Sequence, residues 1–179
     1  RHRPPARRTA AVGHDGGGAD ERTTMTTAIQ DTYPDDVAHC YGCGRENPAG
    51  HQLKTYWDGE GTVATFTPQP EQTAMPGYVY GGLIASLVDC HGTGSAAAAG
   101  YRAQGREPGS EPALRYVTAS LQVDFVAPTP MGVELTLRGT IDEVGERKVV
   151  VSETVHAGDT LVARGRVVAV LMPAGMAQG

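Results

Sequence analysis

Positive charge is in short supply: 15 lysines and arginines stand against 20 aspartates and glutamates, a formal net charge of −5. A nucleic-acid partner needs a basic face for its phosphates, so the composition argues against that class and leaves room only for a locally basic pocket. Cysteine is scarce as well. Cys40, Cys43 and Cys90 are an odd number without framework spacing, which argues against a disulfide-stapled secreted module and favours a reducing compartment, the cytoplasm. An uncharged apolar run of membrane-spanning length is missing too. The longest apolar stretch, Gly81 to Gly100, carries Asp89, His91 and five glycines, and a charge buried in lipid is costly, so it reads as a buried helix outside any membrane. Arg1 to Arg8 are basic, but the apolar segment that an export signal requires does not follow them. There is no internal repeat.

What is present suffices for one domain with a real core, since 179 residues require no second one. Residues 1–30 are rich in Arg, Gly, Thr, Asp and Ala without hydrophobic periodicity and read as a disordered extension, with Met25 as an alternative start. The folded domain is expected over 31–173, and 174–179 form a tail. From Asp31 to Gly50 the chain is turn-rich around the knuckle Cys40-Tyr41-Gly42-Cys43-Gly44. Leu53–Trp57 and Thr62–Phe66 read as antiparallel strands joined by Asp58-Gly59-Glu60-Gly61.

Gly82 to Asp89, continuing through Ser95 to Ala99, has the Ala and Leu content of a helix that is apolar on most faces and therefore buried nearly all round. Gly92 and Gly94 mark a loosened or closely packed turn in it. A loop from Tyr101 to Pro112 ends it. Four strands follow, Arg115–Val126, Val133–Glu143, Lys148–His156 and Leu161–Leu171, with tight turns at Gly145-Glu146 and Gly158-Asp159. Leu121, Val123 and Phe125 share one face, as do Val133, Leu135 and Leu137, then Val149 and Val151. An all-round apolar helix beside strands with one apolar face packs most economically as an α+β domain, the long helix wrapped by a curved antiparallel sheet.

The segment Pro76-Gly77-Tyr78-Val79-Tyr80 runs directly into Gly81-Gly82. Two glycine backbones thus stand at the first helical turn, where N–H groups lack intrahelical partners and an oxyanion can sit. Asp89 lies seven residues further on, inside the apolar helix, where an ionised carboxylate needs a partner or a function. Two readings stand side by side: a polar residue bonded to a neighbouring strand or subunit, or a reactive carboxylate.

This pattern resembles the hotdog-fold thioesterases of the PaaI-like type. Their His-Gly-Gly opens the central helix, an acidic residue follows at the same seven-residue spacing, and a strand reads like Val117-Thr118-Ala119-Ser120-Leu121-Gln122-Val123-Asp124-Phe125-Val126-Ala127-Pro128. The knuckle with Asn47-Pro48 and Gly50 is also similar to the start of many members, and the resemblance spans roughly Cys40 to Met172. It implies a hotdog fold and hydrolysis of acyl-CoA or acyl-carrier-protein thioesters without metal or cofactor, CoA being a product. It further implies a homodimer or homotetramer with the site at the subunit interface. Gly82, with Gly81 beside it, would donate to the thioester carbonyl; Asp89 from the partner subunit would be general base or nucleophile; Thr118 would help to place the water.

The chain departs from the family at Tyr80, where histidine is common, and at Ala74, where some members carry asparagine. A tyrosine donates a hydrogen bond but, with an ordinary pKa near 10, is a poor base at neutral pH. Two alternatives follow: an acyl-CoA-binding protein silenced by Tyr80, and, ranked lower, a hydratase or dehydratase, which normally pairs Asp with that histidine. Arg147 and Lys148, with Arg102 and Arg106 behind them, are candidates for CoA phosphates and equally ordinary surface charges. Cys40 and Cys43, with His39 and His51 near, supply only two well-spaced zinc ligands where a closed site needs four, so the knuckle reads as a turn with two apolar thiols and no metal. Cys90 reads as a packing thiol. His91 sits about 200° around the helix from Asp89 and cannot replace it. Acyl length depends on how Met75, Leu87 or Phe125 plug the space between helix and sheet.

Overall fold

A computed structural model describes residues 26–173 and 175–176. Among the described residues two short 3-10 turns (Ile29–Thr32 and Asp35–Val37) are followed by eight strands and one α-helix: β1 (Tyr56–Asp58), β2 (Gly61–Phe66), β3 (Thr73–Met75), β4 (Tyr78–Val79), α1 (Gly81–Ala103), β5 (Tyr116–Phe125), β6 (Leu135–Val144), β7 (Lys148–Ala157) and β8 (Thr160–Leu171). Six of the strands form one antiparallel sheet in the order β1-β2-β6-β7-β8-β5, and β3 pairs with β4 ahead of the helix. α1 packs against β5, β6, β7 and β8. This is the α+β hotdog fold, a long helix wrapped by a curved antiparallel sheet.

The sheet's two faces follow from strand alternation. Leu135, Leu137, Val149, Val151, Val155 and Val167 are fully buried beneath the helix, each contributing about 1.5–3 kcal/mol by leaving water. Gln122, Asp124, Arg138, Thr154, Arg164 and Arg166 line a polar depression elsewhere on the sheet, the polar partners that period-two alternation demands. Gly158, at φ 57°, makes the tight turn between β7 and β8.

The helix continues unbroken through Gly92 and Gly94, and every residue from Cys90 to Tyr101 is buried. Close packing accounts for Gly92: a Cβ there would come within 2.5 Å of Val167 Cγ2 on β8, so only glycine lets helix and sheet approach this far. The helix runs past the expected stop at Tyr101 because its last turn is anchored. Tyr101 is buried, its hydroxyl accepts the Leu114 N–H at 2.9 Å, and the Arg102 guanidinium lies 4.4 Å above the Trp57 ring. His91 Nδ1 and Glu153 Oε2 on β7 share a 2.9 Å hydrogen bond with both side chains fully buried.

Three boundaries differ from the sequence reading. The hairpin of β3 and β4 is an addition, too short to show alternation. Most of the expected extension, and all of the tail but residues 175–176, lies outside the described residues. Within the described part of the extension, Ile29 and Gln30 are buried, and Gln30 bonds to Thr55 through both its amide groups at 3.0 and 2.8 Å. The third difference concerns β5. Its apolar residues Leu121 and Phe125, with Val126 just beyond, are exposed in the single chain, and β5 is an edge strand of the sheet. Among the described residues no helix is long and apolar enough to cross a membrane.

Candidate active site at the start of the central helix

The chain enters α1 from β4 with Tyr80 in extended conformation as N-cap and no side-chain cap. The Tyr80 N–H donates to the Gln72 carbonyl at 2.9 Å, and the Leu83 N–H to the Tyr80 carbonyl at 3.0 Å. The amides of Gly81 and Gly82 are left without a partner among the described residues, as the first turn of a helix dictates. Two aromatic rings flank them. Phe125 of β5 lies where a Cβ on Gly81 would be 3.3 Å from its Cζ, and the Tyr80 ring folds back onto Gly82, filling the space of the missing Cβ.

Beside this turn opens an apolar groove of about 550 Å³, lined by Ala74, Met75, Tyr78, Ile84, Phe125 and Val126 among others. The volume lies within the range of small-molecule sites, roughly 300–1,000 Å³. Met75, Phe125 and Ile84 line it, whereas Leu87 is wholly buried in the core.

Asp89 is half-buried on α1, and the Thr118 hydroxyl donates to its Oδ1. Burial raises its pKa above the ordinary carboxylate value, and the Thr118 hydrogen bond opposes that rise. Thr118 sits immediately before a β-bulge on β5, where the register against β8 shifts between Thr118 and Ser120. The extra residue, Ala119, turns the following alternation over. Thr118, which meets Asp89, and Phe125, which meets Gly81, thereby both face α1 although seven positions apart.

Geometry divides the candidates into two groups. Gly81, Gly82 and Tyr80 stand with the groove at the helix start. Asp89 is two turns away, about 10 Å along the axis, and with Thr118 it sits at the opposite end of β5 from Phe125. Lys148 belongs to the Asp89 end: it is paired with Val170, which is itself paired with Val117, so Lys148 lies about 10 Å across the sheet from Thr118's neighbour. Arg147 precedes it and is exposed; Lys148 forms an ion pair with Glu143 at 2.9 Å. One thioester carbonyl cannot touch Gly82 and Asp89 of the same chain at that separation.

The knuckle has a partner that spacing did not reveal. Cys40, Cys43 and Cys90 bring their sulfurs within 4.8 Å of one another; Cys90 is 47 positions beyond Cys43, and only the packing of the lead-in on α1 joins them. His91 points to Glu153 on β7 rather than toward Asp89's partner Thr118.

A family model described as Thioesterase superfamily matches residues 76–164. A crystal structure of a thioesterase superfamily protein from Shewanella loihica PV-4 is 53% identical, covering 80% of this chain and 99% of that one, with a TM-score of 0.61. The chain belongs to the thioesterase superfamily. Thioester hydrolysis is the general activity that goes with this membership. Weaker likenesses support the fold alone. A thioesterase from Haemophilus influenzae is 14% identical over 68% of this chain and 79% of that one, TM-score 0.56. A hypothetical thioesterase from Streptococcus pneumoniae TIGR4, solved with coenzyme A, is 15% identical over 63% and 79%, TM-score 0.52. Curated proteins give no sequence match.

Proposed function

We propose that this superfamily member is a PaaI-like acyl-CoA thioesterase whose active site is completed across a two-fold dimer. The observation that carries the reading is the separation of its parts. Two glycines and an apolar groove occupy the start of α1, while a hydroxyl-held carboxylate lies two turns further along. A two-fold partner with its helix antiparallel brings the partner subunit's Asp89 against Gly82 of the first chain. The exposed apolar residues Leu121, Phe125 and Val126 at the edge of the sheet supply the surface for that contact.

In this site the acyl chain fills the groove and the thioester oxygen approaches the amides of Gly81 and Gly82, where its developing charge in the tetrahedral state is stabilised. The partner subunit's Asp89 takes a proton from water as the water attacks the carbonyl carbon, or it attacks that carbon itself to form a mixed anhydride, which water then hydrolyses to the free acid and the restored carboxylate. Its Thr118 hydroxyl fixes the carboxylate's orientation. The thiolate of CoA then leaves and takes up a proton. Arg147 and Lys148, at the Asp89 end of the sheet, are within the region where the phosphates of CoA would emerge, and charge-assisted hydrogen bonds suit them to that contact. The Streptococcus pneumoniae protein of the same fold was solved with coenzyme A, which supports this reading. Tyr80 replaces the family's histidine as a hydrogen-bond donor beside Gly82 and takes no part as a base.

A second reading, an acyl-CoA-binding protein without turnover, is favoured by one observation: the Tyr80 ring lies against Gly82 and restricts approach to it. The experiment that separates the two is thiol release from short, medium, long and aromatic acyl-CoAs by wild type and Asp89→Asn. Turnover in the wild type and its loss in the variant supports hydrolysis. Thermal stabilisation by acyl-CoA without any turnover supports the binder and overturns the enzyme.

A further inference from the structure

The lead-in before β1 and the middle of α1 meet at three sulfurs. Cys40 Sγ and Cys90 Sγ are 3.7 Å apart, and the Cys43 sulfur lies within 4.8 Å of both. Sulfur ligands of one zinc ion, each at about 2.3 Å from it, are separated by about 3.8 Å in a tetrahedron. All three cysteines are free thiols. A disulfide would use two of them and leave the third, whereas a thiophilic cation uses the set.

The surroundings are those of a ligand knuckle. Cys40 is half-buried and its sulfur faces that of Cys90, while Cys43 and Cys90 are buried. The turn is closed by the Gly44 N–H on the Cys40 carbonyl at 2.7 Å and fixed to the next segment by the Leu53 N–H on the Gly42 carbonyl at 3.0 Å. Gly42 has no room for a side chain, because a Cβ there would collide with Cys90 Sγ. Arg115 is stacked 4.5 Å over the Tyr33 ring. The buried Tyr33 hydroxyl has no hydrogen-bond partner among the described residues.

We propose that Cys40, Cys43 and Cys90 form a mononuclear site for a thiophilic d10 cation, Zn²⁺ being the ion tested, with water in the fourth position. Bound there, the ion ties the lead-in to the helical turn that carries Asp89. The proposal does not depend on the hydrolytic reading.

The test uses the full chain, expressed with zinc in the medium and purified with a non-thiol reductant and no chelator. Elemental analysis is expected to give one zinc per chain in the wild type and close to none in Cys40→Ser, at a half-buried position. Replacement by Co²⁺ is expected to produce the near-ultraviolet thiolate-to-cobalt charge-transfer band, absent in the variant. A wild-type measurement guards against misfolding of variants: zinc should protect Cys40, Cys43 and Cys90 together from alkylation, as read by peptide mass mapping. A reduced wild type that takes up no zinc from stoichiometric solution and shows no cobalt band overturns the site. So does a folded Cys40→Ser that retains a full equivalent of zinc, or alkylation of the three cysteines that zinc leaves unchanged.

Discussion

Thr118 on the edge strand donates its hydroxyl to the carboxylate of Asp89 on the central helix, two elements joined at the one place where β5 bulges. The bond holds a carboxylate that burial would otherwise drive toward its neutral form. It also fixes which oxygen of Asp89 remains available to water. Asp89→Asn keeps the size and the Thr118 contact while removing the base. The variant is expected to fold as the wild type does and to lose about a hundred- to ten-thousand-fold in kcat, the range for a positioned general base. Steady-state thiol release with circular dichroism as the folding control measures both; an unchanged kcat removes Asp89 from the chemistry.

Thr118→Val preserves volume and removes the donor. A hydrogen bond to a charged group is worth about 1.5–3 kcal/mol, so kcat should fall roughly ten- to hundredfold with little change in KM, whereas Thr118→Ser should restore most of the rate. Loss of KM alone, with kcat intact, would place Thr118 in binding rather than in orientation of the carboxylate.

Much of this arrangement was legible in the sequence because it rests on periodicity. The long helix and the last four strands follow from apolar spacing, and their observed bounds lie within a few residues of it. Gly81-Gly82 and Asp89 stood out as glycines and a charge where an apolar helix tolerates neither without reason. What spacing could not reveal are contacts set by packing over long sequence separations. Cys90 meets Cys40 across fifty positions, and Ile84 lines the groove in place of Leu87 because the helix's rotation decides which of two apolar residues faces it. The apolar face of β5 was visible, but the single chain leaves Leu121 and Phe125 exposed, and alternation alone does not say whether an apolar face meets the chain's own core.

The buried pair of His91 and Glu153 gives a stability signature. Burial raises Glu153's pKa above its ordinary value of 4.5, with His91 opposing the rise and Asp89 adding to it. The folded state therefore holds the proton more tightly than the unfolded one, and stability is fully present below about 4.5 and declines as pH rises through the raised folded value. Glu153→Gln removes the cost of the buried charge. Urea unfolding between pH 4.5 and 8 should show a midpoint that declines with pH in the wild type and declines less in Glu153→Gln; parallel curves would show that the pair does not control the dependence.

Exposed apolar residues on β5 make the assembly testable. Phe125→Asp places a charge where Phe125 lies over Gly81 and beside Val126, and an unpaired charge in a closed interface is strongly unfavourable. Sedimentation should show the wild type as a dimer or larger and Phe125→Asp as a monomer with little turnover. A monomeric wild type with full activity would contradict a site built from two chains.

Complementation distinguishes a shared site from one within a single chain. Gly82→Val blocks the approach of a carbonyl to the helix start, and Asp89→Asn removes the base, so each homodimer should be inactive. In a mixed dimer one site combines both lesions, while the other combines the intact Gly82 of one chain with the intact Asp89 of its partner. Random exchange makes half of the dimers mixed, each with one working site of two, so about a quarter of wild-type activity should return after the two variants are unfolded and refolded together. Were both residues to act from the same chain, every site would carry one lesion and mixing would restore nothing. The roughly 10 Å between Gly82 and Asp89 along one helix is the reason to expect the first outcome.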